Sequence, residues 1–94
     1  MILLVTYTAK PHCREAFLRA VQESSLQEIV RQEDGCLEYV YYAAVADAEK
    51  ILLVEKWASD EQQQTHLRQP HMQQLKQWKE QYIAVLSTAS AAAC

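Results

Sequence analysis

The side chains of this sequence that could carry chemistry lie in its second half. Glu55 and Trp57 end an apolar run, and His66 and His71 follow shortly after. An imidazole titrates near neutral pH and can accept the proton of a phenol. A carboxylate in an otherwise apolar run must find a hydrogen-bond partner or a wet pocket. These residues predict a site for acid–base chemistry, with His66 or His71 as the catalytic base.

Aromatic side chains could form the walls of such a site. We expect Tyr7, Tyr41 and Trp57 to bind a flat aromatic ring, together with Glu55 and Met72. The same aromatic rings could instead pack in a protein core, with their hydroxyl and indole groups hydrogen-bonded at its rim. The sequence pattern alone permits both interpretations.

Each polar residue also has a purely structural interpretation. On one continuous helix His66 and His71 would point about 140° apart, which makes a poor paired metal site. Either histidine could cap a helix or contact solvent, and we expect no metal site. Glu55 could form an ion pair with Arg31 or Lys56 of a second chain.

Composition limits the function classes. The chain has 94 residues, 50% of them hydrophobic, and a formal charge of −3. Its nine basic residues are scattered, so we expect no nucleic-acid partner. The apolar start, Met1 to Val5, is too short for a membrane span or a signal-peptide core. Three cysteines without metal-ligand spacing indicate a reducing compartment, and we expect a cytoplasmic protein without a membrane partner.

The elements that must position these residues follow the order β-α-β-β-α-β. We predict strand 2–8, helix 11–32, strand 36–46, strand 51–57, a helix from Asp60 that Pro70 interrupts, and a short strand 82–86. Ser59 and Gln62 form a capping-box pattern at the start of the Asp60 helix, and Pro70 opens a second short helix. One domain spans 1–86, and the Ala/Ser-rich residues 87–94 are expected to be a frayed tail.

Local patterns specify further details. The first helix should present Phe17, Leu18, Val21 and Ile29 on one face. After the helix end, Gly35 should adopt the left-handed conformation that strains other residues. Alternation along strand 36–46 should place Leu37, Tyr39 and Tyr41 on one face of the sheet.

The element order predicts an α+β fold of the ferredoxin-like, split β-α-β-β-α-β type. Its sheet is antiparallel and carries helices on one face only. The segment Ile51 to Val54 is apolar on both faces, so its second face needs a cover. A second copy of the sheet, packed face to face about 10 Å away, would supply that cover. We therefore expect a homodimer.

Several short motifs, in their order and spacing, resemble the antibiotic biosynthesis monooxygenase family. The motifs are an acidic helix end with Gly-Cys and then an aromatic residue (Glu33–Tyr39), an acid-x-Trp at a strand end (Glu55–Trp57), and a histidine followed by Pro-His (His66 and Pro70–Met72). The resemblance covers nearly the whole chain, from the first strand to the last.

The resemblance implies a dimeric α/β-barrel-like assembly with a pocket between the helices and the sheet of each subunit. The best understood members oxidise quinols or polycyclic phenols with O₂ and use no cofactor. An electron-rich phenolate can itself pass an electron to O₂, so the protein has to bind the ring, remove a proton and exclude water. The implied function is a cofactor-independent monooxygenase that acts on a small quinol or polycyclic phenol.

Two other functions stay open. Some active members carry an asparagine on a strand near the tryptophan, and this sequence has no counterpart. A non-catalytic dimer that binds a small aromatic or lipid-like ligand is therefore an alternative. A related branch isomerises small phosphorylated carbonyl compounds, which requires cations at the pocket, and Arg31, Lys50 and Arg68 are dispersed in sequence.

Overall fold

A four-stranded antiparallel sheet covered by four helices makes up the computed structural model, which describes residues 1–91. The strands are β1 (Ile2–Ala9), β2 (Cys36–Ala43), β3 (Lys50–Trp57) and β4 (Ile83–Ala91), and the helices are α1 (Arg14–Glu23), α2 (Leu26–Arg31), α3 (Asp60–Leu67) and α4 (His71–Tyr82). The strand order is β2-β3-β1-β4, and all neighbours are antiparallel. The predicted ferredoxin-like α+β fold is confirmed. Within residues 1–91, none of the helices has the length and apolar character needed to span a membrane.

Alternation along the two central strands decides which face the helices cover. The side chains buried on that face are Leu3, Val5, Tyr7, Ala9, Ile51, Leu53, Glu55 and Trp57. Burying a large apolar side chain contributes roughly 1.5–3 kcal/mol, so this row makes up much of the core. The opposite face carries Ile2, Leu4, Leu52 and Val54, which are only partly buried. It is the face on which we expect the second copy.

The single helix predicted over 11–32 is wrong. The helix begins at Arg14 and is broken between α1 and α2, where Ser25 has the left-handed φ of 58°. The Ser24 hydroxyl accepts the Leu26 N–H at 3.2 Å and donates to a main-chain carbonyl of α1 at 2.9 Å. Serine side chains compete with the helical hydrogen bonds in this way. The two consecutive serines therefore end the first helix.

This break changes which residues of the segment face the core. Phe17 and Val21 on α1 are buried as predicted. On α2, Leu26 and Val30 are buried although both lie outside the predicted stripe, whereas Ile29 is 42% exposed. The left-handed residue resets the helical phase, so a stripe extrapolated from one continuous helix fails beyond it.

The start of β2 is irregular. Its register with β3 shifts between Cys36 and Glu38, so Leu37 has no partner across the sheet. The extra residue of a β-bulge bends the strand and changes its alternation. Cys36 consequently packs against the core and Leu37 is 69% exposed. The predicted face is right for Tyr39 and Tyr41 and wrong for Leu37.

Two strand ends differ from the prediction by more than one residue. β2 ends at Ala43 rather than at Ala46, and β4 continues beyond Leu86 to Ala91. Residues 87–91 pair with β1, because a main-chain ladder needs no particular side chains and β1 would otherwise present unpaired N–H and C=O groups. The prediction of a frayed tail is therefore wrong for residues 87–91. Its remaining part, 92–94, lies outside the described residues.

The predicted turn and cap chemistry at the start of α3 is confirmed. The Ser59 hydroxyl accepts the Gln62 N–H at 3.2 Å, and Pro70 directly precedes α4. Gly35 has a φ of 82°, and a Cβ placed on it would clash with the Gln62 side chain. The Gln62 amide also donates to the Asp34 carboxylate at 3.0 Å. The cap of α3 therefore fixes the loop that follows α2.

Candidate functional site

Four ionisable side chains meet at the end of the sheet where β3 finishes. Glu33 lies in the loop after α2, His66 in the last turn of α3, His71 at the start of α4, and Glu55 near the end of β3. Pro70 separates the two histidine-bearing helices, so the two imidazoles do not follow the phase of one helix. The expectation that they point apart is wrong, since both bind the same carboxylate.

Glu33 holds both imidazoles. Its Oε2 lies 2.9 Å from His66 Nδ1 and 2.7 Å from His71 Nε2. The exposed fraction of the side chain is 10% for Glu33, 1% for His66 and 21% for His71. Glu33 Oε1 is buried and makes no hydrogen bond within residues 1–91. The carboxylate therefore orients two histidines and keeps one acceptor atom unused.

A second buried carboxylate lies on the other side of His66. Glu55 Oε1 is 3.9 Å from His66 Nε2 and accepts the Trp57 indole N–H at 3.0 Å. The Trp57 and His66 ring centroids are 4.7 Å apart. Glu55 thus finds partners within its own chain. In this chain Arg31 and Lys56, the cations considered for it, bind other groups.

Three tyrosines form a neighbouring cluster on the sheet. The Tyr39 and Tyr41 hydroxyls are 3.0 Å apart and their rings pack edge to face. Tyr7 contacts both Tyr41 and Phe17, with ring centroids 5.9 and 5.5 Å apart. Burial raises the pKa of Tyr7, Tyr39 and Tyr41 well above the ordinary phenol value, and their proximity to one another adds to this. The three phenols therefore stay neutral at physiological pH.

A cavity of about 240 Å³ lies between the sheet and helices α3 and α4. Among the predicted site residues, Tyr7, Glu55, His66 and Met72 line it. Two further lining residues, Leu67 and Leu86, are about half exposed, at 50% and 48%. The buried part of the lining therefore includes the polar residues Glu55 and His66, and Leu67 and Leu86 lie where the cavity meets solvent.

The other predicted site residues lie behind the cavity wall. Tyr41 contacts the lining residue Tyr39, and Trp57 contacts Glu55 and His66. His71 reaches His66 only through Glu33. These three residues can orient lining groups, and the structure does not bring them to the cavity surface.

Sequence reasoning missed two residues. Glu33 appeared only as the acidic end of a helix motif, and no pattern indicated that it meets the histidines. Lys79 lies on the same face of α4 as Met72 and Leu75, and a lysine on an apolar face was the available signal. Its Nζ lies 6.0 Å from the centre of the Tyr7 ring. Burial lowers the Lys79 pKa, and the nearby Glu55 opposes that change.

The sheet order, the helical layer and the cavity beneath it define a ferredoxin-like α+β protein with a buried acid–histidine site. The chain belongs to the antibiotic biosynthesis monooxygenase family, whose sequence profile matches residues 1–78. The family resemblance seen in the sequence motifs is thereby confirmed.

Solved structures share this fold. A Pseudomonas aeruginosa protein superimposes with a TM-score of 0.88 at 24% identity, over 99% of this chain and 92% of its own. A Nitrosomonas europaea protein, provisionally named an antibiotic biosynthesis monooxygenase, superimposes with a TM-score of 0.85 at 17% identity, over 94% of this chain and 84% of its own. A Shewanella oneidensis protein superimposes with a TM-score of 0.83 at 19% identity, over 94% of this chain and 84% of its own. No curated protein matches the sequence. At these identities the likeness shows the fold alone, so the activity has to be argued from the site.

Proposed function

We propose that this protein is a cofactor-independent monooxygenase that oxidises a small quinol with O₂. The observation that carries the proposal is His66, a buried imidazole at the cavity wall that Glu33 holds through Nδ1 while Nε2 faces Glu55. Membership in the monooxygenase family supports the same reaction class.

His66 is the proposed general base. When Nδ1–H donates to Glu33, the lone pair on Nε2 is left to accept the proton of a quinol hydroxyl. The imidazolium that results lies between Glu33 and Glu55, and both carboxylates stabilise its charge. His71 Nε2 contacts the same Glu33 oxygen and helps to hold that carboxylate in place. Deprotonation makes the quinolate electron-rich enough to pass an electron to O₂.

The remaining walls bind the ring and the developing charge. Tyr7 and Tyr39 are neutral aromatic surfaces, and Met72 is an adaptable apolar one. Lys79 lines the same cavity as His66, and its ammonium group can stabilise the negative charge of a quinolate or of reduced oxygen. A cation beside a buried base suits a reaction in which anions form away from water.

The proposed reaction balances without an added reductant. A quinol and O₂ give a hydroxyquinone and water, with one oxygen atom entering the ring and the other leaving as water. The substrate loses four electrons and O₂ gains four. Flavin or metal chemistry is therefore not required, and the protein has to supply proton removal, ring binding and exclusion of water.

Cavity size favours the smaller of the expected substrates. At about 240 Å³ the cavity is below the range of roughly 300–1,000 Å³ that holds drug-sized ligands. We therefore favour quinols of one or two rings over polycyclic phenols. An alkyl substituent on the ring could extend out of the cavity between Leu67 and Leu86.

The site is less suited to isomerising a phosphorylated carbonyl compound. None of the three cations considered, Arg31, Lys50 and Arg68, is among the residues that line the cavity. Each donates elsewhere, to a main-chain carbonyl or to a threonine hydroxyl. A non-catalytic binding module would use the same cavity without turnover.

Oxygen uptake by metal-free protein tests the proposal against a panel of one-ring and two-ring quinols, with quinone absorbance followed in parallel. We expect uptake by the unchanged protein and loss of uptake in His66→Gln, which keeps polarity and removes the base. His12→Asn is the matched control, because His12 is an exposed histidine outside the site. Uptake that never exceeds autoxidation would reject the monooxygenase and favour the binding module.

A further inference from the structure

The structure brings together a set of metal-ligand atoms that sequence spacing did not indicate. Glu33, His66 and His71 come from three different segments, and one ligand atom from each lies within 4.8 Å of the other two. Two imidazole nitrogens and one carboxylate are the protein ligands of open zinc sites and of facial-triad iron sites. We infer that this triad binds one divalent transition-metal ion, and that the bound ion prevents His66 from acting as a base.

The unused oxygen of Glu33 is the first independent support. The Glu33 side chain is nine-tenths buried, and its Oε1 has no hydrogen-bond partner within residues 1–91. A buried acceptor without a partner is destabilising because it has lost its hydrogen bonds to water. A metal ion beside the carboxylate would use this oxygen as a ligand after small side-chain rotations, while His66 Nδ1 and His71 Nε2 supply the other two.

Groups behind the triad provide the second support. A metal-bound histidine usually donates its other ring N–H to a carboxylate, which fixes the ring and its tautomer. If Nδ1 of His66 binds the ion, Nε2 carries the proton and faces Glu55 Oε1, now 3.9 Å away. Trp57 in turn holds that oxygen with its indole N–H at 3.0 Å. The supporting shell of a metal site is therefore already built.

Charge is the third support. The Glu33 side chain is nine-tenths buried and Glu55 is buried, and within residues 1–91 their salt-bridge partners are His66 and His71 rather than lysine or arginine. A divalent cation would balance the two negative charges. Imidazole ligands select zinc, copper, iron or nickel over the harder magnesium and calcium ions.

Metal binding has a direct consequence for the reaction, and this part rests on the proposed function. With the ion on Nδ1, the proton of the neutral imidazole lies on Nε2. His66 then has no lone pair to accept the quinol proton. Turnover should therefore fall in proportion to metal occupancy, which makes the triad a regulatory site of the same catalytic centre.

Cobalt titration tests the binding. Metal-stripped, reduced protein is titrated with Co²⁺, and visible absorption and calorimetry are followed together. We expect one ion per chain and an affinity that falls at least about 100-fold in Glu33→Gln and in His71→Ala. Glu55→Gln should weaken binding about 10–100-fold, as other supporting carboxylates do. His12→Asn should bind like the unchanged protein, and circular dichroism should show that every variant is folded.

Three results would overturn the inference. The first is the lack of saturable Co²⁺ binding, and the second is an affinity that Glu33→Gln and His71→Ala leave unchanged. The third is a near-ultraviolet thiolate–cobalt band that disappears in Cys36→Ser, because the ligands would then include a cysteine. Saturating Zn²⁺ should also stop quinol oxidation, and unaffected turnover would reject the blocking role. If no quinol is oxidised at all, the proposed function fails while the cobalt titration still decides the metal site.

Discussion

Two groups of side chains, each partly at the cavity surface and partly behind it, handle buried polar groups in different ways. We call Tyr7, Tyr39 and Tyr41 the tyrosine wall, and Glu33, Glu55, His66 and His71 the acid–histidine wall. In the tyrosine wall two hydroxyls pair with each other, the rings pack edge to face, and the phenols are neutral. In the acid–histidine wall both carboxylates are buried, and Glu33 Oε1 has no partner within residues 1–91.

The difference separates a satisfied hydrogen-bond network from one with unused bonding capacity. Buried polar groups are normally hydrogen-bonded, and a satisfied neutral network stabilises one arrangement. Ionisable groups with unused bonding capacity can still take up a proton, a cation or a substrate. We therefore assign chemistry to the acid–histidine wall and shape to the tyrosine wall.

The largest expected effect separates the two walls by activity. His66→Gln should lower the rate of quinol oxidation by about 10²–10⁴-fold, since it removes the proposed general base. Tyr41→Phe should change the rate only a few-fold, because Tyr41 lies behind the cavity surface. Oxygen electrode rates and urea unfolding of both variants measure the contrast. Equal rate losses in the two variants would remove the functional distinction between the walls.

The next effect is a loss of folding stability when packing against the tyrosine wall is removed. Phe17 is fully buried against Tyr7 and Tyr41. Phe17→Ala should lower the free energy of unfolding by about 3–5 kcal/mol, because it leaves a cavity in the core. Ile29→Ala is the exposed apolar control and should cost much less. Co²⁺ affinity at low temperature should not change, and a parallel loss would mean that the walls are not independent.

A smaller effect should disturb the acid–histidine wall through its supporting loop. Gly35→Ala places a Cβ at a φ of 82°, where it meets the Gln62 side chain. The left-handed conformation alone should cost about 1–2 kcal/mol, and the contact adds to it. Adding Gln62→Ala to this variant should restore only the free energy of unfolding that is lost through the contact with Gln62. If Gly35→Ala leaves both unfolding and Co²⁺ affinity unchanged, this loop does not position Glu33.

The smallest expected effect is a change in stability at alkaline pH, which comes from ionisation of the tyrosine wall. Because the pKa of Tyr41 is raised on folding, the neutral phenol contributes stability that is complete below the unfolded value of about 10. This stability is lost as the pH rises through the higher folded pKa. Tyr41→Phe should therefore weaken the alkaline loss of stability and leave the pH dependence of stability between pH 7 and 9 unchanged. The exposed Tyr42→Phe is the control, and unfolding free energies with absorbance at 295 nm measure both.

Local sequence patterns were sufficient for the fold class. The short apolar runs at 2–8 and 51–57 indicate strands, and the cap at Ser59, the proline at Pro70 and the left-handed Gly35 are single-residue signals. Each depends on neighbours in the chain, so each can be read without knowing the packing. The same patterns failed at the Ser25 break and at the Leu37 bulge, where the backbone departs from its regular period.

Only the tertiary structure shows which residues meet at the site. The sequence by itself determined that histidines, an acid and a tryptophan follow one another near the end of β3, because their types and order are fixed in the chain. It did not determine that His66 and His71 share one oxygen of Glu33, a residue more than thirty positions away from each. That contact depends on the direction in which α4 leaves Pro70. Direction is set by the packing of helices on the sheet, which no local pattern encodes.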